Sequence, residues 1–154
     1  TALFHDQPIE AALDYIAGAG IESVELGGGA YPGSRHLDDM GGVAALAADA
    51  GKRKKLVDAV SSRGLIISAI SVHGNPLHPN KAIAQEHHDA FEGAVQLAEA
   101  LHGDGIMPQA TVNGFSGCPA DSPRGKNPNW VTCAWPDEYR DILEYQWRVA
   151  GRYW

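Results

Sequence analysis

At 154 residues, with 44% apolar and 20% charged side chains, the chain has enough apolar content for a core and too little charge for a disordered polymer. Its formal net charge of −7 gives no general attraction for a phosphate backbone, and no apolar stretch reaches membrane-spanning length. We therefore expect neither a nucleic acid nor a membrane as partner. The two cysteines, Cys118 and Cys133, are too few for a disulfide framework, lack zinc-motif spacing, and suit unbridged thiols in a reducing cytoplasm.

Residues 8 to 19, "PIEAALDYIAGA", repeat apolar side chains at 9, 12, 13, 16 and 17, the stripe of an amphipathic helix. Asp6 is placed to cap it and Pro8 suits its first turn. "IESVEL" (21–26) follows as a short strand and runs into "GGGAYPGS". That loop lacks the lysine of a phosphate-binding P-loop and the full GxGxxG frame. Its glycines are expected to let the backbone turn closely past a ligand.

Residues 42 to 63 read as one helical region with Leu56, Val57 and Val60 inward and "KRKK" on a solvated face. "LIISAISV" (65–72) is a continuous apolar run of strand length, as expected for a parallel strand covered on both faces. Residues 80 to 102 carry the clearest helical periodicity, with Ile83, Ala84, Phe91, Ala94, Val95, Ala98 and Leu101 on one stripe. His87 and His88 lie on it as neighbours about 100° apart, so they do not converge on one ion and read as surface residues. "TVNGF" (111–115) is a weaker strand, and "PDEYRDILEYQWRVAGRYW" closes with a helix. The order α-β-α-β-α-β-α predicts a parallel sheet with right-handed crossovers. The Gly-, Pro- and Asn-rich stretch 113 to 136 is a long strand-to-helix loop, a length usually kept for function.

Chemistry concentrates where strands end. Glu25 lies near the carboxyl end of the first strand, as a solvent-facing residue or a functional carboxylate. His73 follows directly from the most apolar strand and should emerge at the sheet's carboxyl rim, where neutral imidazole relays protons or binds a metal or hydroxyl. Asn75 and His78 share its loop, stiffened by Pro76 and Pro79. Ser116 and Cys118 fall in the long loop with no base adjacent in sequence, so neither reads as a nucleophile. Trp130 and Trp135 in that loop can wall a ligand or plug the end of the fold.

Taken together, "ALDYIAGAGIESVELGGGAYPG", "LIISAISVHGNPLHPN", "AQEHHDAFEGAVQLAEAL" and "FSGCPADSP…NPNWVTCAWPDEYRDILEYQW" resemble the sugar phosphate isomerase/epimerase family of xylose-isomerase-like TIM barrels. The resemblance covers nearly the whole chain. It implies an α/β fold consisting of a partial (β/α)8 TIM barrel, a single domain over 1–154 lacking the first strand and the C-terminal half, since a full barrel needs about 250 residues. It implies metal-assisted proton transfer next to a carbonyl or hydroxyl of a sugar-like substrate, with Glu25 and His73 catalytic and Asn75, His78 and Ser116 binding substrate. A divalent ion (Mn, Mg, Zn or Co) is expected in the full-length protein, its ligands mostly outside this chain, and no residue here is assigned as a ligand. "HGDGIMPQATVN" is longer than the family's usual turn, which puts Pro108 in an irregular insertion. The alternatives are an apurinic-site endonuclease or polyol dehydratase on the same barrel, or a non-catalytic fragment or binding module. This chain alone is expected to be catalytically silent, to bind no divalent metal tightly, and to be prone to homo-oligomerise through unpaired strand edges.

Overall fold

The computed structural model describes residues 1–133 and 135–154; Ala134, inside the "NWVTCAWP" stretch, lies outside the described residues. The described elements are α1 (Ile9–Gly18), β1 (Ser23–Gly27), α2 (Arg35–Asp38), α3 (Val43–Ala48), α4 (Ala50–Ser61), β2 (Ile66–Val72), α5 (Lys81–Gly103), β3 (Val112–Gly114) and α6 (Glu138–Tyr153), preceded by a 3-10 turn at Ala2–Phe4. They fall into two compact units, Thr1–His73 with Ala90–Gly114, and Gly74–Asp89 with Phe115–Trp154.

The first unit holds the sheet. Its three strands are parallel in the order β1-β2-β3, with β2 central. Val24 and Leu26 of β1 pair across with Ile67 and Ile70 of β2, and Ile70 pairs with Val112 of β3. These residues share one sheet face and one apolar cluster with Leu13, Leu56, Val60, Ala94, Leu97 and Leu101 from the helices. The cluster is why β2 is so apolar: a central strand under helices leaves little room for polar side chains. The register shifts between Val24 and Glu25, so that Glu25 faces Ala69 and Gly27 faces Ser71. A bulge of this kind re-aims the residues beyond it.

This architecture corrects the expected partial (β/α)8 barrel. A barrel closes only when every strand is paired on both sides. Among the described residues β1 and β3 each have a single strand neighbour. The fold among the described residues is a small α/β arrangement of an open three-stranded parallel sheet with six helices.

Local differences from the sequence reading have local causes. The region 42 to 63 is two helices, because the Asp49 side chain accepts from Gly51 N at 2.8 Å and Lys52 N at 3.1 Å and so starts a new helix. Arg53, expected outward with its lysine neighbours, is buried instead and bonds Asp104 and the Leu46 carbonyl. Asp6 does not cap α1, whose N-cap is Pro8 with no side-chain bond. On α5, Leu97 is fully buried whereas Val95 is exposed. The insertion around Pro108 is seated on β2: Ile67 N donates to the Ile106 carbonyl at 3.0 Å, and Ile106 and Met107 are buried.

In the second unit, Gly117 and Cys118 lie against Asn75 and Leu77, and Tyr153 of α6 bonds His88. Asn75 is buried there and ties the loop together, as described below.

Candidate functional site

In the first unit, strand alternation and the register place Glu25, Gly27, Ser71 and Asn113 on the sheet face opposite the apolar cluster. Asn113 Nδ2 donates to Glu25 Oε2 at 2.5 Å, so β3 orients the carboxylate that β1 supplies. His73 follows β2 immediately, and its backbone N–H donates to the Tyr31 carbonyl at 2.8 Å. Glu25, Tyr31, Ser71 and His73 line one cleft of about 220 Å³. Both Glu25 and His73 are half-buried and reachable by a small molecule.

The loop after β1 builds one wall of this cleft. Gly28 N donates to the Ser71 carbonyl at 2.8 Å, and Gly29 and Gly33 form an antiparallel bridge. A Cβ on Gly27 would overlap the Gly33 carbonyl oxygen, and one on Gly28 would overlap Ile70. The glycines therefore permit close approach of the loop to its own strands, where closeness to a ligand was expected. Ala30 at φ 48 is the one non-glycine positive φ among the described residues, a strained backbone position at the turn of the wall.

The other candidates fall in the second unit. The Asn75 carboxamide is fully used: Nδ2 donates to the Cys118 carbonyl at 2.8 Å, and Oδ1 accepts from Cys118 N at 2.7 Å and Leu77 N at 3.2 Å. That is a clamp between two loop segments. His78 Nδ1 accepts from Asn80 N at 2.9 Å, just ahead of α5. Ser116 is exposed, and its carbonyl accepts from Trp154 Nε1 at 2.9 Å. His87 and His88 are half-buried, not surface residues: His87 Nδ1 accepts from Asn75 N at 2.8 Å, and His88 Nδ1 lies 2.6 Å from the Tyr153 hydroxyl. Cys118 and Cys133 are both free thiols, the first buried and the second exposed.

Sequence reasoning missed Ser71, Tyr31 and Asn113. Ser71 interrupts an otherwise apolar run at the end of β2, and Asn113 sits one residue before the glycine that ends β3. Both were visible as polar residues at strand ends, but only the register shows that they share a face with Glu25.

Fold and cleft together define a parallel α/β protein with a polar site on one sheet face at the carboxyl ends of its strands, where such sheets place their ligands. The chain is 33% identical over 150 residues, 96% of its length, to the uncharacterized protein YfiH of Bacillus subtilis (strain 168). It spans 44% of that protein, less than half of its relative's length. No protein-family model and no solved structure matches it. These findings overturn the resemblance to the sugar phosphate isomerase/epimerase family, since what the chain matches is an uncharacterized protein and no isomerase family is among the matches.

Proposed function

We propose that the protein is an enzyme that moves a proton at a carbon next to a carbonyl or hydroxyl of a small sugar-like substrate, an isomerase or epimerase. One observation carries the reading: a carboxylate oriented by a neighbouring amide and an imidazole line the same cleft, beside a serine. Glu25 takes the proton from the carbon, and the electron pair of that C–H bond moves toward the adjacent carbonyl as it becomes an enediolate. His73 donates a hydrogen bond to the oxygen where charge develops. The hydroxyl on the attacked carbon passes its proton to the former carbonyl oxygen, where His73 is hydrogen-bonded. Glu25 returns its proton to the former carbonyl carbon, which isomerises the substrate. Epimerisation would instead take a proton from solvent water on the opposite face of the original carbon while Glu25 releases its own to solvent. Asn113 holds Glu25 in one orientation, which lowers the cost of aligning the base.

The described residues of the cleft supply one carboxylate and one imidazole, fewer ligands than a tightly held divalent ion requires. The donor set does not fit such an ion, and the steps above use side chains alone. No described helix is long and apolar enough to cross a membrane. The two free thiols support a reducing compartment, and we place the protein in the cytoplasm with a small molecule as its partner.

The test is proton exchange. Incubated in heavy water with a panel of aldoses, ketoses and their phosphates, the protein should wash deuterium into a carbon-bound position of at least one, followed by proton NMR. Glu25→Gln should slow that exchange by about a hundredfold or more, and His73→Gln by about tenfold or more, with circular dichroism unchanged. Full exchange by Glu25→Gln would overturn the assignment of the base, and no exchange with any member of the panel would overturn the reaction class.

A further inference from the structure

The second unit contains a cavity of about 170 Å³ that the proposed reaction does not use. One wall is a single face of α6, where Leu143, Gln146, Trp147 and Ala150 recur at the 3- and 4-residue steps of a helix. The opposite wall comes from the long loop, including Ser116 and Trp130. Both indoles are accessible, Trp147 at 71% and Trp130 at 57% exposure, and Trp130 is steadied by an edge-on contact with Phe115 at 6.1 Å between ring centroids. Gln146 is fixed in place: its Nε2 donates to the Asn129 carbonyl at 2.7 Å and reaches the Ala120 and Pro119 carbonyls at 3.3 and 3.4 Å. With the nitrogen committed to the loop, the carboxamide oxygen is what Gln146 can offer a ligand.

We infer that this cavity is a binding site for a neutral monosaccharide or cyclic polyol. Such a ligand has apolar C–H faces that stack on indole rings and hydroxyls that need uncharged partners at its edge, and the cavity offers both. A purely apolar ligand would leave the Ser116 hydroxyl and the Gln146 oxygen desolvated without partners. No charged side chain lines the cavity among the described residues, and the chain's net charge of −7 disfavours an anionic sugar. The volume lies below the roughly 300–1,000 Å³ of drug-sized sites and suits one ring, not an oligosaccharide. The site is separate in chemistry from the Glu25–His73 cleft, and its occupancy does not depend on the proposed reaction.

Tryptophan fluorescence and saturation-transfer NMR would be recorded during titration with glucose, galactose, mannose and myo-inositol, with glucose 6-phosphate and indole as competitors of other chemistry. A saturable response to at least one neutral ring is expected, with weaker binding of the phosphate and of indole. Trp147→Ala should weaken the response about tenfold, and Trp130→Phe, which keeps an aromatic wall, less. Because Trp147 is mostly exposed, its removal leaves packing nearly intact, which thermal melting would verify. The Glu25→Gln protein should retain full affinity here while losing proton exchange, which separates failure of one assignment from failure of the other. Absence of saturation by any neutral ring, tighter binding of indole, or unchanged affinity in Trp147→Ala would each overturn the inference.

Discussion

Asn75 spends its whole carboxamide on backbone groups, and that decides what a substitution there will do. Asn75→Ala removes both bonds to Cys118 and leaves that residue's buried N–H and carbonyl without these partners. A loss of about 2 kcal/mol in stability is expected, measured by urea denaturation, with the proposed Glu25–His73 proton transfer unaffected in rate per folded molecule. A second residue-scale contrast lies in the thiols. Burial pushes the Cys118 thiol up from its ordinary value, outweighing a backbone hydrogen bond from Asn129 that pulls it down. Mildly alkaline solution with a thiol reagent should therefore modify exposed Cys133 first and Cys118 only on unfolding. Two equally fast thiols would contradict the buried position of Cys118.

Elements are joined by a few polar ties whose loss can be measured. Arg53 on α4 bonds Asp104, just beyond α5, through Nε at 2.5 Å and a second nitrogen at 3.2 Å, and also caps the carbonyls of Leu46 and Ala47 at the end of α3. Arg53→Ala should cost about 2–4 kcal/mol, because a buried carbonyl and a partly buried carboxylate lose their donor together. Arg53→Lys keeps the charge but not the planar fork, and should restore less than half of the loss. The loop after β1 is joined sterically. Gly28→Ala sets a methyl against Ile70 and should lower stability by about 1–3 kcal/mol, read as a shift in the urea midpoint. On α1, a hydrogen bond from Arg63 holds the Asp14 carboxyl below its ordinary value. A depressed folded-state value means that the contribution is present above the unfolded value and is lost as pH falls through the folded one. Asp14→Asn should therefore lower the neutral plateau of the stability profile slightly and flatten its acid limb, so that the two proteins converge as pH falls.

The molecule as a whole is acidic, and its net charge of −7 predicts no saturable binding to labelled DNA, single- or double-stranded, even at low salt. Fluorescence anisotropy is the direct measurement, and tight, salt-sensitive binding would reopen the nuclease alternative. The alternation of helices and strands, the central place of the 65–72 run and the position of His73 at its end were legible in the sequence, because apolar periodicity and strand-to-loop polarity are local properties. Break points such as Asp49, and the inward turn of Arg53, were not, although an Asp ahead of a helix is a capping signal in its own right. Arg53 looks like any member of "KRKK" until Asp104, far along the chain, comes beside it.

By itself, then, the sequence determined the α/β alternation, the parallel sense of the strands, the apolar core residues and the presence of polar groups at strand ends. These follow from side-chain chemistry repeated at helical and strand periods. Only the tertiary structure decided that the sheet is open with three strands among the described residues, since pairing partners are long-range and strand count within one sheet has no local signature. The same holds for the sites. The register and its bulge put Glu25, Ser71 and Asn113 on one face, while the Asn75 clamp took a residue that reads as a ligand-binder and committed it to holding a loop.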